Sequence, residues 1–153
     1  MAYKKQHFSG AETNQDLEQP WPPVDFVTDG LRLEVDEERF DGDQERDECL
    51  KAVEHVLLSV APVVVACDPA DLESSRDRNV IYLYDSFGGG LRMSEPIFDR
   101  FAEVVALAHD VVATCPCATG CPSCVMLTRR PDSNVGLSKV GALTLLSALR
   151  SDA

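Results

Sequence analysis

Four cysteines fall within ten residues, Cys115-Pro-Cys117-Ala-Thr-Gly-Cys121-Pro-Ser-Cys124, at the spacing C-x-C-x3-C-x2-C. A tetrahedral ion with metal–sulfur distances of about 2.3 Å needs its sulfurs converged within a few ångströms, so a set this dense dictates a sharply folded loop. Gly120 and the prolines supply such turns. Four thiolates leave no open coordination position, and the site reads as one structural Zn²⁺ rather than a catalytic ion. An iron–sulfur cluster also takes four thiolates, although this spacing is not that of the common ferredoxin runs, and disulfides or free thiols complete the alternatives. The longest apolar run, 60–67, is interrupted by Pro62 and falls far short of the roughly 20 residues that span a bilayer. Met1 to Pro20 lacks the apolar stretch of a secretory signal, so a cytoplasmic chain is expected, and there cysteines serve as ligands or buried apolar groups more often than as disulfides. Cys49 and Cys67, beside apolar runs, fit the buried role.

The 153 residues suit one domain, and 44% hydrophobic composition allows a sizeable core. Residues 1–23 read as a polar, flexible tail closed by Pro20-Trp21-Pro22-Pro23, with Trp21 as its anchor, and 24–153 as the folded domain. Alternation over Phe26, Val27, Leu31, Leu33 and Val35 predicts extended chain, with a hairpin or bulge at Asp29-Gly30. Asp41 or Asp43 can cap a helix whose apolar positions Cys49, Leu50, Val53, Val56, Leu57 and Val60 recur at helical spacing, with Pro62 ending or kinking it. Residues 63–67 fit strand or helix equally. A polar loop from Asp68 to Asn79 leads into the β-rich run Val80-Ile81-Tyr82-Leu83-Tyr84. A helix capped by Ser94 runs to about Ala113, and after the cysteine loop Ser138 caps a last helix with Val140, Leu143, Leu146 and Leu149 on one side. The class is α+β: a small β-sheet packed with about three helices and a C-terminal four-cysteine zinc knuckle.

The formal charge of −12 has the wrong sign for a surface that binds phosphates throughout. The excess is N-terminal, since residues 1–79 hold 19 acids against 8 bases while 80–153 hold 7 against 6. Glu34 to Glu48 alone contains nine acids against Arg39 and Arg46, and Glu34, Asp36, Glu37 and Glu38 are the candidate docking residues for a basic partner; a solvated face is the plainer reading of such a run. Arg129, Arg130 and Lys139 follow the cysteines in the one stretch whose sign suits a phosphate backbone. They could equally offset the charge of a four-thiolate zinc centre.

No self-contained active site emerges, and no enzyme is expected. Gly88-Gly89-Gly90 lacks the Lys-Ser/Thr of a phosphate-binding loop and reads as a turn. His7, His55 and His109 lack zinc-protease spacing, and His55 beside Glu54 reads as a helix-packing histidine. Asp85 has no partner acid or lysine at a spacing that would make a nuclease.

With these residues in view, the chain from about Asp25 to Leu149 resembles the MrfA-type zinc-binding domain, the C-terminal module of a group of bacterial superfamily 2 helicases. The likeness rests on Cys115-Pro-Cys117, Gly120-Cys121-Pro-Ser-Cys124-Val125, Tyr84-Asp85, Ala52-Val53-Glu54-His55, Pro62, Cys67-Asp68, and Val27-Thr28-Asp29 with Leu31 and Leu33. It departs from the family at Lys51, where a histidine is common, at Gly88 and Arg92 in the glycine turn, and at Arg130, where a further cysteine is often found. The resemblance implies work on DNA in repair or in defence against phage. The sequence contains no Walker motif, so the expected function is that of a non-catalytic accessory subunit. It would dock on a superfamily 2 helicase encoded nearby, meet DNA through that complex, and have no membrane contact. The alternative is a metal- or redox-responsive protein-interaction module without DNA contact.

Overall fold

The structure, a computed structural model, describes residues 2–6, 12–16, 26–88 and 92–152. Strands β1 (Ala2–Gln6) and β2 (Glu12–Asp16) pair antiparallel, a ribbon the sequence reading does not foresee in its expected tail. Trp21 and its neighbouring prolines lie outside the described residues. A second, three-stranded antiparallel sheet carries the domain, with β5 (Val80–Asp85) at its centre between β3 (Gly30–Glu34) and β4 (Leu72–Asp77). The register sets Leu31 opposite Leu83 and Leu33 opposite Ile81, and the fully buried Leu83 and Ile81 mark β5 as the strand most enclosed by its neighbours.

Helix α1 (Asp43–Val65) is the hub of the core. It packs on β4 and β5 of the sheet and against α3 (Phe101–Thr114) and α4 (Lys139–Asp152). A helix enclosed by several neighbours must be apolar on most of its circumference, which explains why 52–58 is buried without interruption. Each buried Leu or Val there contributes roughly 1.5–3 kcal/mol over its exposed state. Pro62 lies inside the helix and does not end it. The chain stays helical to Val65, Ala66 takes a left-handed φ of 58°, and the Cys67 N–H returns to the Pro62 carbonyl at 3.1 Å. This resolves 63–65 as helix.

Several boundaries differ from the sequence reading for identifiable reasons. Asp29-Gly30 makes no hairpin, because β3 pairs with the distant β5. Neither Asp41 nor Asp43 caps α1. Gly42, at φ 130°, occupies the cap position, and the Glu45 carboxylate reaches back to accept from the Asp41 N–H at 2.7 Å. The expected loop 68–79 contains β4, joined to β5 through Arg78 at φ 50° and Asn79. The expected single helix from Ser94 is two, α2 (Ser94–Asp99) and α3, broken at Arg100. Ser94 is not a cap but the first helical residue. Asp85 caps instead, its two carboxylate oxygens accepting from the Met93 and Ser94 N–H groups at 3.1 and 3.0 Å. Both oxygens of this buried carboxylate are thus committed to the helix end, which accounts for Asp85 structurally. Ser138 does cap α4, accepting from the Gly141 N–H at 3.0 Å, but the buried face is Ala142, Leu145 and Leu146, with Val140 73% exposed.

Candidate metal centre

The cysteine loop leaves α3 at Cys115 and returns to α4 at Lys139, so two helices anchored on α1 hold its ends. The sulfurs of Cys115, Cys117, Cys121 and Cys124 all lie within 4.8 Å of one another. Four of the separations are 3.5 Å (115–117, 115–121 and 117–124) and 3.8 Å (121–124). A tetrahedron with arms of about 2.3 Å has edges of about 3.8 Å, so this is the cage of a four-thiolate zinc site, and the separations are far beyond a disulfide bond of about 2.05 Å.

The loop chemistry explains the convergence. The Cys121 carbonyl accepts from the N–H groups of Cys124 and Met126 at 3.0 and 3.2 Å, and the Cys121 N–H points at Cys124 Sγ at 3.3 Å. Gly120 sits at φ +124°, where a Cβ would also stand 2.6 Å from Val125 Cγ2, so both backbone and space require glycine. Against desolvation, hydrogen bonds with Cys124, Cys115 and Cys121 draw the Cys117 thiol down to about 7, while burial pushes Cys124 up to about 12. Zn²⁺ takes thiolates, so its binding releases whatever protons remain on the set.

Three further anchors fix the loop to the body. The buried His55 on α1 donates from Nδ1 to the Val125 carbonyl at 3.0 Å, and its Nε2 lies 3.1 Å from Ser133 Oγ. A carbonyl can only accept, which assigns the proton to Nδ1; burial lowers the histidine's pKa and favours this neutral form. Asn134 brackets Leu127, accepting from its N–H at 2.8 Å and donating to its carbonyl at 2.9 Å. The Lys139 ammonium donates to the Cys115 and Cys117 carbonyls at 2.7 and 2.6 Å, beside the thiols.

Arg129 and Arg130 turn toward the sheet. Arg129 donates to the carbonyls of Pro69 and Leu72 at 2.7 and 2.9 Å. Arg130 donates to the Glu54 carboxylate at 3.3 Å, to Ser74 Oγ and O at 3.2 Å each, and to Glu73. Glu54, buried on α1, also accepts from Ser74 Oγ and Arg76 Nε at 2.6 Å each, and Arg76 continues to Asp47 at 2.7 Å. Sequence reasoning misses this polar cluster. Its one signal is the alternation Leu72, Ser74, Arg76, in a segment too polar to be recognised as a strand. Glu34, Asp36, Glu37 and Glu38 are all exposed at the end of β3 and in the single turn that follows, with Glu34 paired to Arg32 at 2.6 Å. Cys49 is buried and its thiol is pushed up to about 12 by that burial, whereas Cys67 is half-buried. Neither joins the four-sulfur cluster.

Fold and cluster together define an α+β structural-zinc module. Residues 53–125 match the family model described as the MrfA Zn-binding domain. The chain is 30% identical over 112 residues to the ATP-dependent helicase YprA of Bacillus subtilis (strain 168), a match that covers 68% of this chain and 15% of the helicase. It is 25% identical over 112 residues to MJ1572.1 of Methanocaldococcus jannaschii, covering 67% of this chain and 100% of that protein. Its fold is that of part of the DUF1998 helicase MrfA. The likeness to the DNA-bound crystal structure has a TM-score of 0.60 at 24% identity over 93% of this chain and 16% of MrfA. The structure with DNA and AMPPNP gives 0.57 at 23% identity, over 92% and 18%. The chain therefore spans about one sixth of the length of these helicases. Among the described residues no helix is long and apolar enough to cross a membrane.

Proposed function

We propose that this chain is a non-catalytic accessory module that holds one structural Zn²⁺ on Cys115, Cys117, Cys121 and Cys124 and works with a separately encoded superfamily 2 helicase. The observation that carries the reading is the match to YprA, in which this module is a small part of a helicase. MJ1572.1, covered over its full length by the same module, supports the idea that it can also stand as a chain of its own. In this reading the helicase supplies ATP hydrolysis, and the module helps hold or guide DNA in repair or anti-phage defence in the cytoplasm. The crystal structure of MrfA bound to DNA supports a DNA-working context.

The exposed acids Glu34, Asp36, Glu37 and Glu38 suit a protein partner and oppose free DNA, whose phosphates they repel. Arg129, Arg130 and Lys139 have internal acceptors, so any DNA contact they make is secondary to their structural role. The test is co-purification with a helicase encoded beside the chain, followed by ATPase and unwinding assays with and without it. A stable complex with altered unwinding is expected. No complex, together with unwinding that ignores the added chain, would remove the proposal.

A further inference from the structure

Away from the zinc centre, the segment around 37–49 meets α4 across a cleft of about 360 Å³. Phe40, Cys49, Leu145 and Val140 line it, with Arg39 and Glu45. Cys49 and Leu145 are 2% and 4% exposed, so the floor is part of the fixed core, whereas Val140 presents a 73% exposed apolar side chain on the first turn of α4. The floor is rigid because α1 and α4 touch closely there: a Cβ on Gly141 would stand 3.2 Å from Cys49 Cβ and 2.9 Å from Ser138 Oγ. The volume is at the lower end of the roughly 300–1,000 Å³ of pockets that hold a ligand.

The cleft's own rim carries one cation and one acid, Arg39 and Glu45, and the surface beyond Glu45 is acidic. An acidic recess lined by Asp41, Gln44, Glu45 and Glu48 adjoins the cleft through Glu45, and Asp36, Glu37 and Glu38 stand exposed just before it in the chain. Across 34–48 nine acids face two arginines. An apolar floor beside an acidic recess complements a segment that offers an apolar side chain next to lysines or arginines, whose methylene stems cover apolar surface while their heads meet carboxylates. DNA has the wrong sign for this recess, and so does a second copy of this acidic chain.

The geometry points to this cleft as the docking site for a basic, amphipathic segment of a partner protein, which seats an apolar side chain against Phe40, Leu145 and Val140. The inference deepens the accessory-module reading and rests on it for the partner's biology, but its test needs no helicase. The zinc-loaded full chain is titrated with a synthetic helical peptide bearing leucine at i, i+3, i+4 and i+7 and lysine elsewhere, and backbone amide NMR signals are followed. Oligolysine, the glutamate counterpart of the peptide and a single-stranded DNA oligonucleotide serve as controls.

Saturable shifts at Phe40, Cys49, Val140 and Leu145 are expected with the leucine–lysine peptide alone. Val140→Asp, and separately Asp41→Lys combined with Gln44→Lys in the recess, should each weaken binding about tenfold, as loss of an anchor or of its neighbouring charge does. These positions are exposed, so the amide spectrum of each variant should remain that of the folded chain. Equal shifts with oligolysine, shifts elsewhere on the surface, displacement of the same signals by DNA, or unchanged affinity in Val140→Asp would each overturn the assignment. Were a helicase complex to survive Val140→Asp, the cleft would be lost and the accessory reading kept; were peptide binding to hold while no helicase associates, the reverse would follow.

Discussion

Arg130 separates two accounts of the basic residues after the knuckle, and replacing it with alanine distinguishes them. Its guanidinium donates to Glu73, to Glu54 at 3.3 Å and to Ser74 Oγ and O at 3.2 Å, with the side chain 29% exposed. Hydrogen bonds to charged groups are worth about 1.5–3 kcal/mol, and breaking a fully buried ion pair costs about 3–5 kcal/mol. Partial exposure reduces this, and Glu54 keeps Ser74 and Arg76 as partners. The expected loss for Arg130→Ala is therefore about 2 kcal/mol, on the order of thirtyfold in the unfolding equilibrium. Glu54→Ala should cost more, since it strips Ser74, Arg76 and Arg130 of one acceptor at once. The two substitutions combined should cost less than their sum. Arg130→Lys is the discriminating variant: a single ammonium cannot reproduce a fork that reaches three residues, so stability stays low, whereas a phosphate contact would largely tolerate lysine. Urea unfolding of the zinc-loaded chain, followed by circular dichroism, measures all four. Stability within about 0.5 kcal/mol of the parent for Arg130→Ala would refute the internal-staple account.

Three other outcomes follow from the site. Chelation of the metal should unfold at least the last third of the domain, because zinc binding worth roughly 10–16 kcal/mol exceeds the whole stability of an ordinary domain; protease resistance that survives confirmed metal loss would contradict it. His55 should titrate below 6.5 by imidazole NMR, since burial lowers its pKa. The unfolded chain then holds more protons than the folded one in the window below 6.5, so His55's contribution is complete above that value and is lost as pH falls toward the folded pKa. A midpoint above 6.5 would refute it. Gly120→Ala should lower zinc affinity in a chelator competition about tenfold or more, because the residue must keep φ +124° while its Cβ meets Val125 Cγ2 at 2.6 Å; unchanged competition would show that the loop re-forms around alanine.

The metal centre is legible in the sequence because ten residues with four thiols admit few geometries. The helix that carries the core is equally legible, since Cys49, Leu50, Val53, Val56 and Leu57 repeat at helical spacing and all are buried. What escapes is long-range. β4 reads as a loop because its inward side chains are Leu72, Ser74 and Arg76, two of them polar and satisfied by distant partners, Glu54 and Asp47 on α1 and Arg130 after the cysteine loop. Asp85 reads as a spare carboxylate because the helix end it caps lies eight residues on in the chain. His55 reads correctly as a packing histidine, but its bond to the residue after Cys124 joins positions 70 residues apart. Local pattern identifies elements and ligands; polar contacts between elements depend on the finished topology.

Charge ties these parts together. Four thiolates around Zn²⁺ add two further negative charges to a chain already at −12, and the cations nearest the knuckle are drawn inward. Lys139 neutralises the loop from beneath through two carbonyls, and Arg129 and Arg130 bind the following turn to the sheet. Donors committed in this way have little left for phosphates, while the acids of 34–48 remain outside. Since the salt dependence of DNA affinity counts the phosphates neutralised, about 0.9 per contact, a module built like this adds almost nothing to the slope of a helicase–DNA complex that contains it. On the proposed reading its contribution is geometric, holding a partner's surface rather than a strand's charge, at the apolar-floored cleft beside the acidic recess.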